Sequence, residues 1–170
     1  MKKTFALMIL LVMNYGLSAQ EVDKATTQYD FWLGDWNLTW DDGNGTIGKG
    51  TNRIQIILDG VVIQENFEAL VGQLKGFKGT SISVYNPTTK QWKQAWADNQ
   101  GSYFNFVGEI DGDKRIFKTQ VFVRGEKKII QRMVFYDITH DKLTWDWEKS
   151  EDGGTTWQLQ WRINYERAKE

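Results

Sequence analysis

The chain has 170 residues, with 21 Lys and Arg against 22 Asp and Glu, a formal net charge of −1 and a single His. That length suits one domain with a sizeable core, and so balanced a charge gives no basic stripe of the kind a nucleic-acid binder needs. There is no Cys, which excludes disulfides and thiolate nucleophiles, and one His cannot build a multi-imidazole zinc site.

Residues 1–19 read as a removable signal peptide. Lys2 and Lys3 form a basic start, Phe5 to Val12 is an apolar run, and Leu17-Ser18-Ala19 ends in a small residue suited to cleavage before Gln20. The apolar run is too short for a stable membrane span. The expectation is a mature domain, residues 20–170, in the periplasm or outside the cell, with no membrane span and, lacking Cys, no lipid anchor. Losing Lys2 and Lys3 takes the net charge from −1 to about −3. A retained N-terminal anchor is the alternative.

Residues 21–34 are irregular, and a short helical or 3₁₀ turn is expected around Tyr29 to Gly34. From Trp36 onward, Asn, Asp and Gly clusters recur every ten or so residues and supply the positive φ angles of tight hairpins. Between them lie about ten candidate strands, at 36–41, 46–57, 61–69, 78–86, 91–98, 102–110, 114–123, 127–138, 142–150 and 155–167. Period-two alternation marks half-buried strands. The seventh lines up Arg115, Phe117, Thr119, Val121 and Val123, and the last lines up Trp157, Leu159, Trp161, Ile163 and Tyr165. The fold expected is all-β: a single antiparallel up-and-down barrel of about 8–10 strands, whose closure removes exposed edges.

Ser150 to Trp157 reads SEDGGTTW, an S-x-D-x-G-x-T-W box. Such boxes repeat through the blades of sialidase-type propellers, but this chain is too short for a propeller and carries one copy. The expectation is a structural turn: the Asp152 carboxylate accepts backbone N–H bonds, and Trp157 packs across the hairpin.

Glu65 shares a strand face with Val61, Ile63 and Phe67, so it is expected to point into the apolar interior, unless a bulge turns it out. A buried carboxyl is costly and its pKa rises unless it is paired. Arg132, on a face with Ile130, Val134 and Tyr136, is the candidate partner; Arg53 is another. Gln94, Trp96 and Asp98 share a face with Trp92. Glu65, Gln94, Trp96, Asp98 and Arg132 are therefore the candidate ligand-binding residues of a polar cluster at a cavity floor. The competing expectation is an ion-pair network filling a barrel with no cavity. His140 falls in a turn and reads as solvated. No metal or redox cofactor is implied.

The segment Phe31-Trp32-Leu33-Gly34-Asp35-Trp36 contains G-x-W at the entrance to the first strand, which resembles the start of the calycin superfamily. The resemblance implies that Gly34 and Trp36 help close one barrel end, with a basic residue of the last strand over the Trp. Arg167, in register with Trp161 and Tyr165, is that candidate. More closely, the chain is similar to a family of secreted bacterial calycin-like barrels of unknown function. The matching features are this start, Gly48-Lys49-Gly50-Thr51-Asn52, Gln64-Glu65, Trp92 to Asp98, and the S-x-D-G-G-x-T-W hairpin followed by Tyr165-Glu166-Arg167. Three functions stay open: a non-catalytic binder of a small, mostly apolar molecule, a glycan-binding module using exposed Trp rings, and an enzyme using a buried carboxyl.

Overall fold

The computed structural model describes residues 25–169; the proposed signal peptide lies outside them. Eleven strands form one antiparallel sheet: β1 Gly34–Asp41, β2 Ile47–Ile57, β3 Val62–Val71, β4 Lys78–Asn86, β5 Gln91–Asp98, β6 Tyr103–Asp111, β7 Lys114–Lys118, β8 Phe122–Arg124, β9 Lys127–Tyr136, β10 Lys142–Ser150 and β11 Gln158–Arg167. Sequence neighbours pair from β1 to β7 and from β9 to β11, β1 meets β11, and β9 pairs with both β7 and β10, so ten strands close into a barrel. β8 pairs with β9 alone and is an added edge. This is the up-and-down barrel that the turn spacing predicts, and the helical turn is a 3₁₀ turn at Asp30–Trp32. Among the described residues no helix is long and apolar enough to cross a membrane.

Alternation places the core. On β1, Trp36, Leu38 and Trp40 are buried and the residues between them are exposed. β2 carries Asn52 and Ile54 inward, and β3 carries Ile63, Glu65, Phe67 and Ala69. One end of the barrel is stoppered by the segment before β1. Tyr29 stacks on Phe117 at 4.4 Å and meets Trp92 edge-on at 5.1 Å. Its hydroxyl donates to Ile116 O at 2.9 Å, and Trp92 Nε1 donates to Ala25 O at 2.8 Å. These bonds satisfy the polar tips of rings that are otherwise in apolar surroundings.

The same end carries the Arg167 clasp. The Arg167 guanidinium lies 4.2 Å from the centre of the Trp36 ring, a cation over a π face. Its Nη1 donates to Leu33 O at 2.8 Å and its Nε to His140 O at 2.7 Å. Gly34 is required beneath it: φ is +116°, and a Cβ there would collide with Arg167 Nη1.

Two strands depart from the expected pattern. The seventh breaks after Lys118. Gln131 N donates to the Thr119 hydroxyl at 3.0 Å where a backbone carbonyl would continue the ladder. Beyond the break, Val121 and Val123 are exposed, so the face shared by Phe117, Val121 and Val123 in the sequence is not a shared face in the barrel.

β11 begins at Gln158, because Thr155 to Trp157 belong to the box turn. Trp147 pairs with Trp161, but Glu148 pairs with Leu159, so β11 carries one extra residue there. Such a bulge reverses the alternation beyond it. Trp161, Ile163 and Tyr165 therefore pack in the barrel, whereas Leu159 is exposed and Trp157 lies on the outer wall. In the turn itself, the Asp152 carboxylate accepts from Thr155 N, Thr156 N, Thr156 Oγ1 and Ser150 Oγ. These bonds, the Thr156 hydroxyl first, hold its pKa well below the usual carboxylate range. Gly153 N donates to Lys128 O at 2.8 Å and docks the hairpin on β9.

Candidate functional site

Above the stopper the barrel is not filled. A cavity of about 190 Å³ opens toward the other end. Phe67, Phe77, Trp96, Phe104, Trp145, Trp147 and Trp161 line its walls, with Phe106, Met133, Ile163 and Tyr165. The titratable residues of its lining are Glu65, Asp98 and Tyr165. The alternation of β3, β5, β6, β10 and β11 puts these rings inward, and Phe77 joins them from the loop before β4. Trp145 and Trp147 stand parallel, 7° apart in plane, with centroids 6.5 Å apart.

Space for Trp96 comes from β4. Gly79 pairs with Asp98, and a Cβ at Gly79 would occupy the place of the Trp96 ring. Its φ is not positive, so alanine suits the backbone and only the ring must move. Gly79→Ala is expected to swing Trp96 from its place in the wall, with a stability loss of about 1–3 kcal/mol. A changed near-ultraviolet circular dichroism spectrum together with a lowered urea midpoint checks this; an unchanged spectrum refutes it.

Glu65 is 4 % exposed and points inward. Asn52 Nδ2 donates to its Oε1 at 2.7 Å and Ser81 Oγ donates to its Oε2 at 2.6 Å. Asn52 Nδ2 also reaches the Tyr165 hydroxyl at 3.1 Å. β2, β4 and β11 thus each place one polar group around the carboxyl that β3 carries. Burial raises the Glu65 pKa, the two donated bonds lower it, and the balance leaves it at about 7. Burial likewise pushes the Tyr165 phenol well above its usual value, so it stays neutral.

Asp98 sits nearer the open end. Its Oδ2 accepts from Trp96 Nε1 at 3.2 Å and its Oδ1 from Gln100 N and Ser102 N, both at 3.0 Å. Burial opposes its ionisation, but the bonds donated by Ser102, Trp96 and Gln100 outweigh it and hold the pKa below the usual range.

The structure therefore brings Glu65, Trp96 and Asp98 to one cavity. Gln94 is buried, but its Nε2 donates to Ser83 Oγ at 2.9 Å and it is not in the cavity lining. Arg132 lies elsewhere altogether. It is on the outer wall, where its Nε donates to Glu148 Oε2 at 2.6 Å and its guanidinium stacks 3.8 Å from the centre of the Trp157 ring. The face it shares with Ile130 and Val134 is the outward face of β9, which the box hairpin covers. Sequence alternation cannot tell an outward face covered by a hairpin from an inward one. Arg53 is exposed and pairs with Asp35 at 3.7 Å. The groups that do surround Glu65 are Asn52, Ser81 and Tyr165. Their signal was parity: Asn52 alternates with Ile54, and Ser81 stands directly opposite Glu65 in the ladder.

Four buried polar atoms lack a hydrogen-bond partner among the described residues: Trp32 Nε1, Asn52 Oδ1, Gln94 Oε1 and Trp161 Nε1. Of these, Trp161 belongs to the cavity wall. None of the nine Trp residues is exposed, and His140 is an exposed turn residue beside Asp141. Among the described residues no group of three His, Cys, Asp or Glu is placed to hold a metal. No protein-family model matches the chain, and no curated protein matches it.

Proposed function

We propose that this barrel is an exported, calycin-like binding protein that holds a small, largely apolar molecule in its cavity, oriented by Glu65. The observation that carries this reading is an aromatic-walled cavity with one buried carboxyl at its inner end. Ligand sites share that composition: mostly apolar walls and a few convergent polar groups. Trp96 and Asp98 belong to the same site. The glycan platform loses support because such a platform needs exposed rings, and every Trp is at least half-buried.

Native mass spectrometry of protein purified from a bacterial host without detergent tests the reading. The expected result is a chain beginning at Gln20 that carries a reproducible mass excess, released on denaturation. A clean apo mass after incubation with a lipid and metabolite extract of the host refutes tight binding.

One observation favours a second reading, an acid–base enzyme. A carboxyl that titrates near 7 inside a cavity suits proton transfer at neutral pH. Under it, turnover of the captured molecule is lost in Glu65→Gln while its binding is kept.

A further inference from the structure

We propose that the molecule held in this cavity is an organic ammonium ion, an amine with a compact apolar body whose nitrogen sits at Glu65. The inference rests on the binding-protein reading and adds the charge of the ligand to it.

The first ground is the sign of the lining. Among the described residues, two carboxyls face the cavity, Glu65 and Asp98, and no Lys, Arg or His does. The arginines that could neutralise them are engaged elsewhere: Arg132 with Glu148, Arg162 with Asp146, and Arg167 with two backbone carbonyls. Around Glu65 itself, β2 presents Asn52, β4 presents Ser81 and β11 presents Tyr165, all neutral. A carboxylate offers roughly four acceptor positions, and each Glu65 oxygen takes a single bond from these neighbours. A buried carboxylate without a cation is unfavourable, and a cation arriving with the ligand removes the imbalance.

The second ground is the wall. Trp96, Trp145, Trp147 and Phe104 present π systems to the same space. Desolvated ring faces attract ammonium groups, and they also take up an apolar body. An anionic ligand would meet two carboxyls and the negative faces of these rings; a neutral one would leave Glu65 uncompensated.

The third ground is size. At about 190 Å³ the cavity is somewhat larger than a dry cavity of about 150 Å³ that accepts benzene. A single ring with a short aminoalkyl arm fits that scale.

Proton and ammonium then compete for one carboxylate. Free Glu65 is half-protonated near pH 7, whereas an alkylammonium stays charged well above that. Ammonium binding near neutral pH therefore expels a proton from Glu65.

The test compares three probes of one shape by calorimetry and tryptophan quenching: 2-phenylethylammonium chloride, 2-phenylethanol and sodium phenylacetate. At about pH 8 the ammonium is expected to bind at least about tenfold more tightly than the alcohol, and phenylacetate more weakly than either. The preference shrinks as pH falls through 7, and buffers of different ionisation heat show proton release. Glu65→Gln keeps the alcohol affinity and loses the preference. Asp98→Asn, whose turn bonds to Gln100 and Ser102 can persist, lowers it by a smaller factor.

Equal binding of alcohol and ammonium, or tighter binding of phenylacetate, overturns the inference and leaves the cavity reading standing. Failure of all three to bind at millimolar concentration overturns both.

Discussion

Replacing Glu65 by glutamine should stabilise the ligand-free barrel at about pH 8 by roughly 1–3 kcal/mol and flatten its stability between pH 5 and 8. Folding moves the Glu65 pKa from 4.5 to about 7. Between those values the folded barrel holds a proton that the unfolded chain has lost. The contribution of this group is therefore most favourable below about pH 4.5. It declines as pH rises through the window and is constant above about 7. The interval corresponds to roughly 3 kcal/mol, an upper figure for the gain.

Glutamine matches the shape of the carboxyl and never ionises. The Ser81 hydroxyl can turn to accept from the new amide, and Asn52 Oδ1, which has no partner among the described residues, can do the same if its amide rotates. Urea unfolding at a series of pH values, with slopes compared between the two proteins, measures the effect. Parallel pH profiles would mean that Glu65 titrates in the barrel much as it does in the unfolded chain.

Arg167→Ala should cost roughly 2–4 kcal/mol at neutral pH. It removes a guanidinium from the face of Trp36 and leaves Leu33 O and His140 O without their donor. Arg167→Lys should recover less than half of that loss. An ammonium is a point donor and cannot bond both carbonyls while lying flat on a ring. Urea midpoints of the three proteins rank the roles: a lysine variant as stable as the original would show that charge alone, and not the planar fork, secures this end. The clasp reaches the cavity wall through Trp36, whose ring meets that of Tyr165 edge-on with centroids 5.8 Å apart, so a loosened Trp36 should weaken ligand binding modestly among the folded variants.

The barrel was legible in the sequence because its turns are. Asn, Asp and Gly clusters mark hairpins whose lengths leave few alternatives, and period two then assigns each strand two faces. Which face lies inward is a different matter. Glu65 could be assigned because its face-mates Ile63 and Phe67 are apolar and its opposite face, with Gln64, Asn66 and Glu68, is polar. Arg132 could not, because β9 is apolar on both faces: Met133 and Phe135 fill the barrel while Ile130 and Val134 are buried outside it. The box hairpin that covers Arg132 depends on a single extra residue in β11, and no composition signal marks that bulge. Thr119 ends β7 through a side-chain bond that an isolated Thr in a strand does not announce. Asn52 and Ser81 were hidden for a simpler reason. Small polar residues on a strand are usually wet, and parity alone does not show that these two meet the Glu65 carboxyl.

The pairing of β1 with β11 joins residues at opposite ends of the domain, with Trp36 beside Arg167 in the ladder. During synthesis from the N-terminus, β1 can find one neighbour as soon as β2 is made, but its other edge stays open until the last strand emerges. Trp36, Leu38 and Trp40 must wait with it. The outward side of β1 reads Asp35, Asn37, Thr39 and Asp41, polar throughout and twice charged, a composition that discourages a second chain from pairing with the waiting edge. Closure is thus the slowest-range contact in the fold, and the Arg167 clasp can form only at that final step. A chain truncated before β11 would keep most of its hairpins and yet expose its aromatic lumen, which makes the last ten strand residues the ones that decide between a barrel and an open, adhesive sheet.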